Sequence, residues 1–489
     1  KHYSGKNDVT VQCIEAVENL AKITRTSLGP HGMNKMIVNH LEKLFVTNDA
    51  ATILKELDIV HPAARMCLNA AQMQEQEIGD GTNLVLVLIA ELLNNADLLL
   101  QKGLHINDIT GGYLKGQAKA IEILEALTVW KCEDVKNVEQ VSKALKGAIS
   151  SKQYGYEDLL APLIAKACVQ VCPKNPYNFN VDNVRVAKIL GGGVSDTSVI
   201  KGHVLVRDTE GTIKHLSNAK VAVFTGGIEL AKTETKDTVV IHTAQQLTDF
   251  NKSEEYAMED LVKKISEAGI NMVVSGGAIS ELGLHFLEKH KIMVVKVLSK
   301  FELRRICKTI GATALVRLGA PTPEETGHCD VITVEEIGST KCTIFRQEKE
   351  DSGISTIVVR GSTQNLLDDI ERCVDDAVNV YKTLVRDPRF LPGAGAAEIE
   401  LSRTIQAFGA ETPGLMQYSI KRYGEAFEVI PRTLAENAGL KTTELLASLY
   451  AAHQKGDKNF GIDVEEGVAR SALDLGILDL LATKVQAIK

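Results

Sequence analysis

The sequence predicts a multidomain α/β protein in which both ends of the chain build a helical domain and an α/β domain is inserted between them. Three observations predict it. Helical periodicity dominates the first 170 residues and returns from about residue 365 onward. Short β-branched runs alternate with helical segments only in the middle, the pattern of a partly parallel sheet. The 489 residues suffice for about three ordinary domains.

Taken in order, residues 9–27 read as an amphipathic helix with Cys13, Ile14, Val17, Leu20 and Ala21 on one face. Leu28-Gly29-Pro30-His31-Gly32 breaks it. A hairpin is expected over 35–38 and 44–47, with 39–43 as the turn, followed by a helix over 50–57. Pro62 opens another helix, which stops near Gly79-Asp80-Gly81. Thr82 begins a strongly apolar one, and helices continue to about 170. In the middle, 221–224, 272–275 and 292–297 read as strands, and 258–268 and 278–290 as helices. The polar stretch 225–258, with Glu234-Thr235-Lys236, lacks a pattern and reads as a protrusion. Gly191-Gly192-Gly193 reads as a hinge or turn. From 365 to 384, Leu366, Leu367, Ile370, Val374, Ala377, Val378 and Tyr381 form one apolar stripe.

Composition narrows the function. A net charge of -8 and pI near 5.9 argue against nucleic acid as a partner, because no basic stripe offsets the acidic balance. The longest uninterrupted apolar run, 84–90, is too short to span a bilayer, and no signal peptide is visible. Nine cysteines without a Cys-x-x-Cys pair read as buried thiols in a reducing compartment. No short-period repeat appears, which argues against a solenoid.

Four segments carry candidate chemistry. Ser27-Leu28-Gly29-Pro30-His31-Gly32 has the composition of a backbone nest for an anion, and equally of a helix stop and turn. Gly79-Asp80-Gly81-Thr82-Asn83 opens an apolar helix, where free N–H groups favour phosphate and Asp80 offers an oxygen suited to Mg²⁺. Asp80 or Thr82 serving only as the helix cap is the alternative. Asp49, in Asn48-Asp49-Ala50-Ala51-Thr52, either polarises a water or caps the next helix. The helix face with Asp368, Asp369, Glu371, Arg372, Asp375 and Asp376 is either solvated, with an Asp368–Arg372 pair, or brings one carboxylate to a phosphate site built elsewhere. No Gly-x-x-x-x-Gly-Lys-Ser/Thr run is present, which excludes a P-loop.

Together, in order and spacing, these segments resemble the group II chaperonins of the CCT/TRiC type. The resemblance runs through 26–36, 48–54, Gly79-Asp80-Gly81-Thr82-Asn83, Val359-Arg360-Gly361 to Asp376-Ala377, Pro392-Gly393-Ala394-Gly395-Ala396-Ala397-Glu398 and Gly476-Ile477-Leu478-Asp479. The run 34–52, His328-Cys329-Asp330, Arg360-Gly361-Ser362-Thr363 and 370–376 resemble one subunit type of that group more than the others.

The resemblance implies an equatorial domain from 1–130 and 389–489, an intermediate domain from 131–195 and 353–388, and an apical domain over 196–352 with a lid protrusion at 225–258. It implies an ATPase using ATP/ADP and Mg²⁺, with K⁺ as a further candidate cation. Asp80 would hold the metal. Ser27, Leu28, Gly29, Pro30, Gly81, Thr82 and Asn83 would surround the phosphates. Gly393 and Gly395 would flank base and sugar, and Asp479 the ribose. Asp49 and Asp376 would orient and deprotonate the attacking water, with Asp376 arriving as its domain closes. It further implies a cytoplasmic double ring shared with seven paralogous subunits, unfolded clients such as actin and tubulin, and no nucleic acid or membrane partner. An N-terminal extension and a C-terminal strand beyond Lys489 are also implied. Asn83, Leu84, Ala50 and Ala394 depart from the family pattern, which points to slow turnover or, alternatively, to a nucleotide-binding structural subunit.

Overall fold

A computed structural model describes residues 6–39, 42–229, 243–348 and 353–489, with side chains omitted at 6–8 and 244–254. The chain divides into two compact units, Lys1–Val181 with Asp368–Lys489, and Asp182–Leu367.

The first unit begins with α1 (Lys6–Arg25), the hairpin β1 (Lys35–Val38) and β2 (Leu44–Thr47), then α2 (Ala50–Glu56), α3 (Pro62–Glu77), α4 (Thr82–Gln101), α5 (Ile106–Ala126), β3 (Trp130–Lys131), α6 (Val138–Ser150) and α7 (Glu157–Val171). The expected hairpin register is found, with Lys35 opposite Thr47 and Val38 opposite Leu44. Asn39 closes the turn by accepting the Lys43 N–H on its side chain at 3.0 Å; residues 40 and 41 lie outside the described set. On α1, Val17, Leu20 and Ala21 pack with Ala50, Leu54, Ala71 and Leu86, so the predicted apolar face is the buried one.

Helix α4 is apolar almost all round, with a mean hydropathy of 1.6. By length and composition it is long enough to cross a membrane, which the count of uninterrupted apolar residues missed because Glu91 interrupts the run. Val85, Leu86, Val87, Leu88 and Leu99 are nevertheless buried inside this unit, the environment expected for a helix without a polar face.

The second unit holds β4 (Val184–Leu190), β5 (Ser198–Leu205), β6 (His215–Phe224), α8 (Ala244–Glu267), β7 (Met272–Ser275), α9 (Glu281–Lys289), β8 (Met293–Lys296), α10 (Lys300–Ile310), β9 (Ala314–Leu315), β10 (Gly327–Ile337), β11 (Thr340–Arg346) and β12 (Ser355–Gly361). They form one mixed sheet in the order β4-β12-β5-β11-β10-β6-β7-β8, with β9 on β6. The strands β6, β7, β8 and β9 are parallel. Side chains alternate across it, as a pleated strand requires. Val221, Val223, Val274 and Val295 face Leu303, Ile306 and Ile310 of α10. Ala222, Phe224, Val273 and Val294 face Val262 and Ile265 of α8 and Leu287 of α9.

The stretch expected to be an unpatterned protrusion is in part regular. Helix α8 starts at Ala244, because 244–268 contains neither glycine nor proline and is rich in Gln, Glu, Lys and Ala. Residues 230–242, including Glu234-Thr235-Lys236, lie outside the described set.

The chain returns to the first unit along α11 (Gln364–Arg386), then β13 (Arg389–Pro392), α12 (Ala396–Glu411), α13 (Met416–Ala426), α14 (Val429–Asn437), α15 (Thr442–Lys455), β14 (Phe460–Asp463), β15 (Val468–Ser471), β16 (Leu478–Leu480) and α16 (Leu481–Ile488). Leu367, Ile370, Val374, Ala377, Val378 and Tyr381 of the predicted stripe are all fully buried. The late strand β16 pairs with β13, setting Asp479 opposite Leu391. The cysteines described are all free thiols.

Candidate functional site

The helical unit contains a cleft into which three helices point their first turns. Gly79 and Gly81 both sit at φ +81°, a left-handed conformation cheap only for glycine, and this reverses the chain into α4. Asp80 Oδ1 accepts the Gly81 N–H at 2.7 Å. The N-cap residue, Gly81, has no side chain to cap the turn that follows, so its N–H groups are left for a ligand. Helix α12 begins behind Gly395 and α16 behind Leu480, again without a side-chain cap. Gly81, Gly395 and Leu480 all line the cleft. Three helix N-termini converging on one space concentrate partial positive charge, the condition for binding phosphate.

The opposite wall is Leu28, Gly29 and Pro30. Asn437 holds this loop by donating to the carbonyls of Arg25 at 3.1 Å and Leu28 at 2.8 Å, and Gly29 turns it at φ +84°. Ile430, Leu434, Ile462 and Ile477 supply an apolar surface. Of the residues expected here, Leu28, Gly29, Pro30, Asp80, Gly81, Gly395 and Asp479 line the cleft.

Others stand behind its wall. The Ser27 hydroxyl donates to the Thr24 carbonyl at 2.7 Å, and Asn83 Nδ2 donates to Ser27 Oγ at 3.2 Å and to the Thr24 carbonyl at 3.1 Å. Both side chains thus tie the first loop to α4. Thr82 is buried. Gly393 donates its N–H to the Ile477 carbonyl at 3.1 Å, and a Cβ there would meet Ile477 at 2.8 Å. Ala394 takes φ +55°, a conformation glycine would hold without strain.

Beside Asp479, buried Lys484 bridges two carboxylates. Its ammonium pairs with Asp479 at 2.8 Å and with Glu398. Burial works against its charge, but the two acids outweigh it and hold the pKa above the ordinary lysine value. Glu398 Oε2 is buried without a hydrogen-bond partner.

The acids Asp49 and Asp376 meet on a second ammonium. Asp49 caps α2, accepting from the Thr52 N–H at 3.0 Å and the Thr52 hydroxyl at 2.7 Å. Its other oxygen takes Lys152 at 3.0 Å, and Lys152 also pairs with Asp376. Asp49 is therefore both a cap and a member of the charged cluster. Asp376 is already beside Lys152 in this structure. Arg372, on the same helix, pairs with Asp369 at 2.7 Å.

The electrostatics of the cluster follow from burial. Burial pushes Asp376 well above the usual carboxylate range, with Asp80 and Asp49 adding to the rise and Lys152 opposing it. Asp80 is raised by burial too, and by the charges of Asp479 and Asp49. Burial would raise Asp49 as well, but Lys152 and Thr52 prevail and hold it low. Glu75 is pushed up to about 7 by burial and by Asp49, Asp80 and Asp375. With Asp49, Asp375 and Asp376 it lines a second cavity. Asp49, Asp80, Asp376 and Asp479 thus lie within one electrostatic neighbourhood.

Lys152, Lys484 and Glu75 were not singled out from the sequence. Lys152 follows the end of α6, where Lys152 and Gln153 both donate N–H to the Ile149 carbonyl; no motif marks such a position.

A model of the TCP-1/cpn60 chaperonin family matches residues 20–489. The chain is 57% identical over 489 residues to T-complex protein 1 subunit theta of Dictyostelium discoideum, covering 100% of this chain and 91% of that protein. It is 51% identical over 491 residues to the theta subunits of Arabidopsis thaliana and Homo sapiens, covering 100% of this chain and 89% of each. Theta is also the subunit type that the run 34–52 and His328-Cys329-Asp330 resemble. With the likeness running through the whole helical unit and the inserted sheet, the chain belongs to the TCP-1/cpn60 chaperonin family.

Proposed function

We propose that this chaperonin subunit hydrolyses ATP in the cleft of its helical unit and couples hydrolysis to the folding of client proteins. Three helix starts without side-chain caps, lining one cleft together with Asp80, carry the reading. The site suits Mg²⁺. No group of three described His, Cys, Asp or Glu side chains would hold a metal alone, and a single carboxylate completed by phosphate oxygens and water is the usual Mg²⁺ arrangement. Bound through Asp80, Mg²⁺ would neutralise phosphate charge during transfer; K⁺ is a further candidate cation.

The first turns of α4, α12 and α16 hold the phosphate chain, and the apolar wall with Gly395 and Asp479, backed by Gly393, takes base and ribose. Asp49, kept ionised by Lys152, orients the water. Asp376 accepts its proton as the water oxygen bonds the terminal phosphorus and the bond to the ADP oxygen breaks. Catalysis of this kind is positioning and charge neutralisation.

By the family's organisation, the helical unit supplies the equatorial domain and adjoining intermediate segments, and the middle unit the client-binding apical domain with a lid around 225–258. The relatives' names describe subunits of a complex, which supports partner subunits for this chain; by the family's organisation the proposal extends to a cytoplasmic double ring shared with seven paralogues, and to clients such as actin and tubulin.

Single-turnover hydrolysis by assembled rings carrying Asp376→Asn in this subunit alone tests the reading. The variant site should retain nucleotide and lose its share of turnover. Unchanged hydrolysis would favour a second reading, a ring member that binds nucleotide with little turnover. One observation favours that alternative, since Lys152 engages both proposed catalytic acids at once.

A further inference from the structure

One polar atom in the cleft has no task in the reading above. Thr483, in the first turn of α16, is 7% exposed and lines the cleft, and its Oγ1 is buried without a partner. A hydroxyl left unbonded in such a place has lost its water without replacement, a loss that an acceptor on a ligand would make good.

Its position identifies the acceptor. Gln74 Nε2 donates to the Asp80 carbonyl at 2.9 Å and to the Thr483 carbonyl at 3.3 Å, so one amide pins the first turn of α16 to the residue proposed to hold the metal. Thr483 Cγ2 stands 3.0 Å from where a Cβ on Gly81 would lie, which sets the side chain against the entry to α4. Three nearby donors are already engaged: Ser27 Oγ donates to Thr24, Asn83 Nδ2 donates to Thr24 and Ser27, and Lys484 pairs with Asp479 and Glu398.

We propose that the Thr483 hydroxyl donates a hydrogen bond to an oxygen of the nucleotide's phosphate chain, bringing to the start of α4 a hydroxyl that Asn83 and Leu84 do not offer. The inference rests on the nucleotide-site reading and deepens it. It makes α16, at the far end of the sequence, part of the phosphate clamp, with the positive end of its dipole directed the same way.

Equilibrium binding of MgADP and of adenosine to the full chain tests it, with Thr483→Val, Thr483→Ser and Asp80→Asn. A hydrogen bond to a charged acceptor contributes roughly 1.5–3 kcal/mol, so T483V should bind MgADP about tenfold to a hundredfold more weakly. Its adenosine affinity should be unchanged, which also shows that the variant is folded. T483S, which keeps the hydroxyl, should stay within about threefold of the parent for MgADP. Parental MgADP affinity in T483V, with binding weakened in D80N, overturns the Thr483 assignment and leaves the site standing. Parental affinity in both variants overturns the site as well. An equal loss of adenosine and MgADP in T483V overturns the assignment to the phosphate end.

Discussion

Replacing Lys152 by methionine removes the one ammonium that both Asp49 and Asp376 engage, and the structure gives the size of the effect. The lysine is 14% exposed at its side chain, and the two aspartates 11% and 10%. At 3.0 Å from Asp49, unit charges in a medium of effective dielectric ~20 attract by about 5.5 kcal/mol. Desolvation of all three groups offsets most of that attraction in the intact cluster. The variant, however, keeps the desolvation of two acids and loses their counter-charge. Breaking a buried pair in this way costs about 3–5 kcal/mol.

The loss should depend on pH, with a determined sign. Without Lys152, burial raises Asp376 with no counter-charge beside it, and on Asp49 it works against the Thr52 bonds alone. The folded variant then binds more protons than its unfolded chain. Its deficit is greatest above the folded pKa values and shrinks as pH falls toward the unfolded one. Urea unfolding at pH 7.5 and pH 5, with hydrogen exchange across α2 to locate the loss, measures both effects. Lys152→Met with Asp376→Asn should recover about half of the loss at pH 7.5, because one of the two unpaired charges is gone. An unchanged urea midpoint in K152M, or a deficit equal at both pH values, would refute the reasoning.

Two further perturbations follow from the same geometry. Ala394 sits at φ +55°, where an L-residue pays roughly 1–2 kcal/mol and glycine gives back part of that in unfolded-chain entropy. Ala394→Gly should therefore raise thermal stability by up to about 1 kcal/mol, measured by calorimetry, and a fall in melting temperature would contradict this. Glu75 is raised to about 7, above its unfolded value, so its contribution is present at low pH and lost as pH climbs through 7. Glu75→Gln should remove that slope, leaving the variant more stable than the parent at pH 8 by on the order of 1–2 kcal/mol and little different at pH 5. Parallel stability curves for parent and variant between those values would exclude the shift.

Features encoded locally were legible in the sequence. The hairpin over 35–38 and 44–47, the apolar stripe of α11 and the alternating strands of the inserted sheet all follow from periods of 3.6 or 2, which every residue of an element reinforces. Gly79-Asp80-Gly81 was legible as the turn into α4, because two glycines around a carboxylate admit left-handed backbone on both sides. Fine placement was not. Ser27 and Asn83 look like phosphate contacts in the linear sequence, yet 56 positions apart they bond each other. Lys152 is 103 positions from Asp49, and Thr483 409 from Gln74. Each is a single side chain at the end of a helix, where no period constrains its identity and only tertiary packing decides its neighbours. Even the helical character of 244–258 was hidden by polarity, since helix propensity there is carried by Gln, Glu and Lys rather than by an apolar stripe.

The same distinction separates the two kinds of residue in the site. Backbone N–H groups in the first turns of α4, α12 and α16 meet no side-chain cap, because a helix leaves its first turn without intrahelical partners and these three place no capping side chain there. The methyls of Ala50 and Ala394 and the amide of Asn83 therefore leave the proposed phosphate-binding surface largely intact: Asn83 is turned to the loop behind it, and Ala394 takes the left-handed conformation at a cost of its own. The proposed chemistry is the more fragile property, since it would depend on how Lys152 divides its charge between Asp49 and Asp376. Substitutions in the loops should accordingly change affinity by modest factors, whereas substitutions among these three residues should change turnover far more than nucleotide binding.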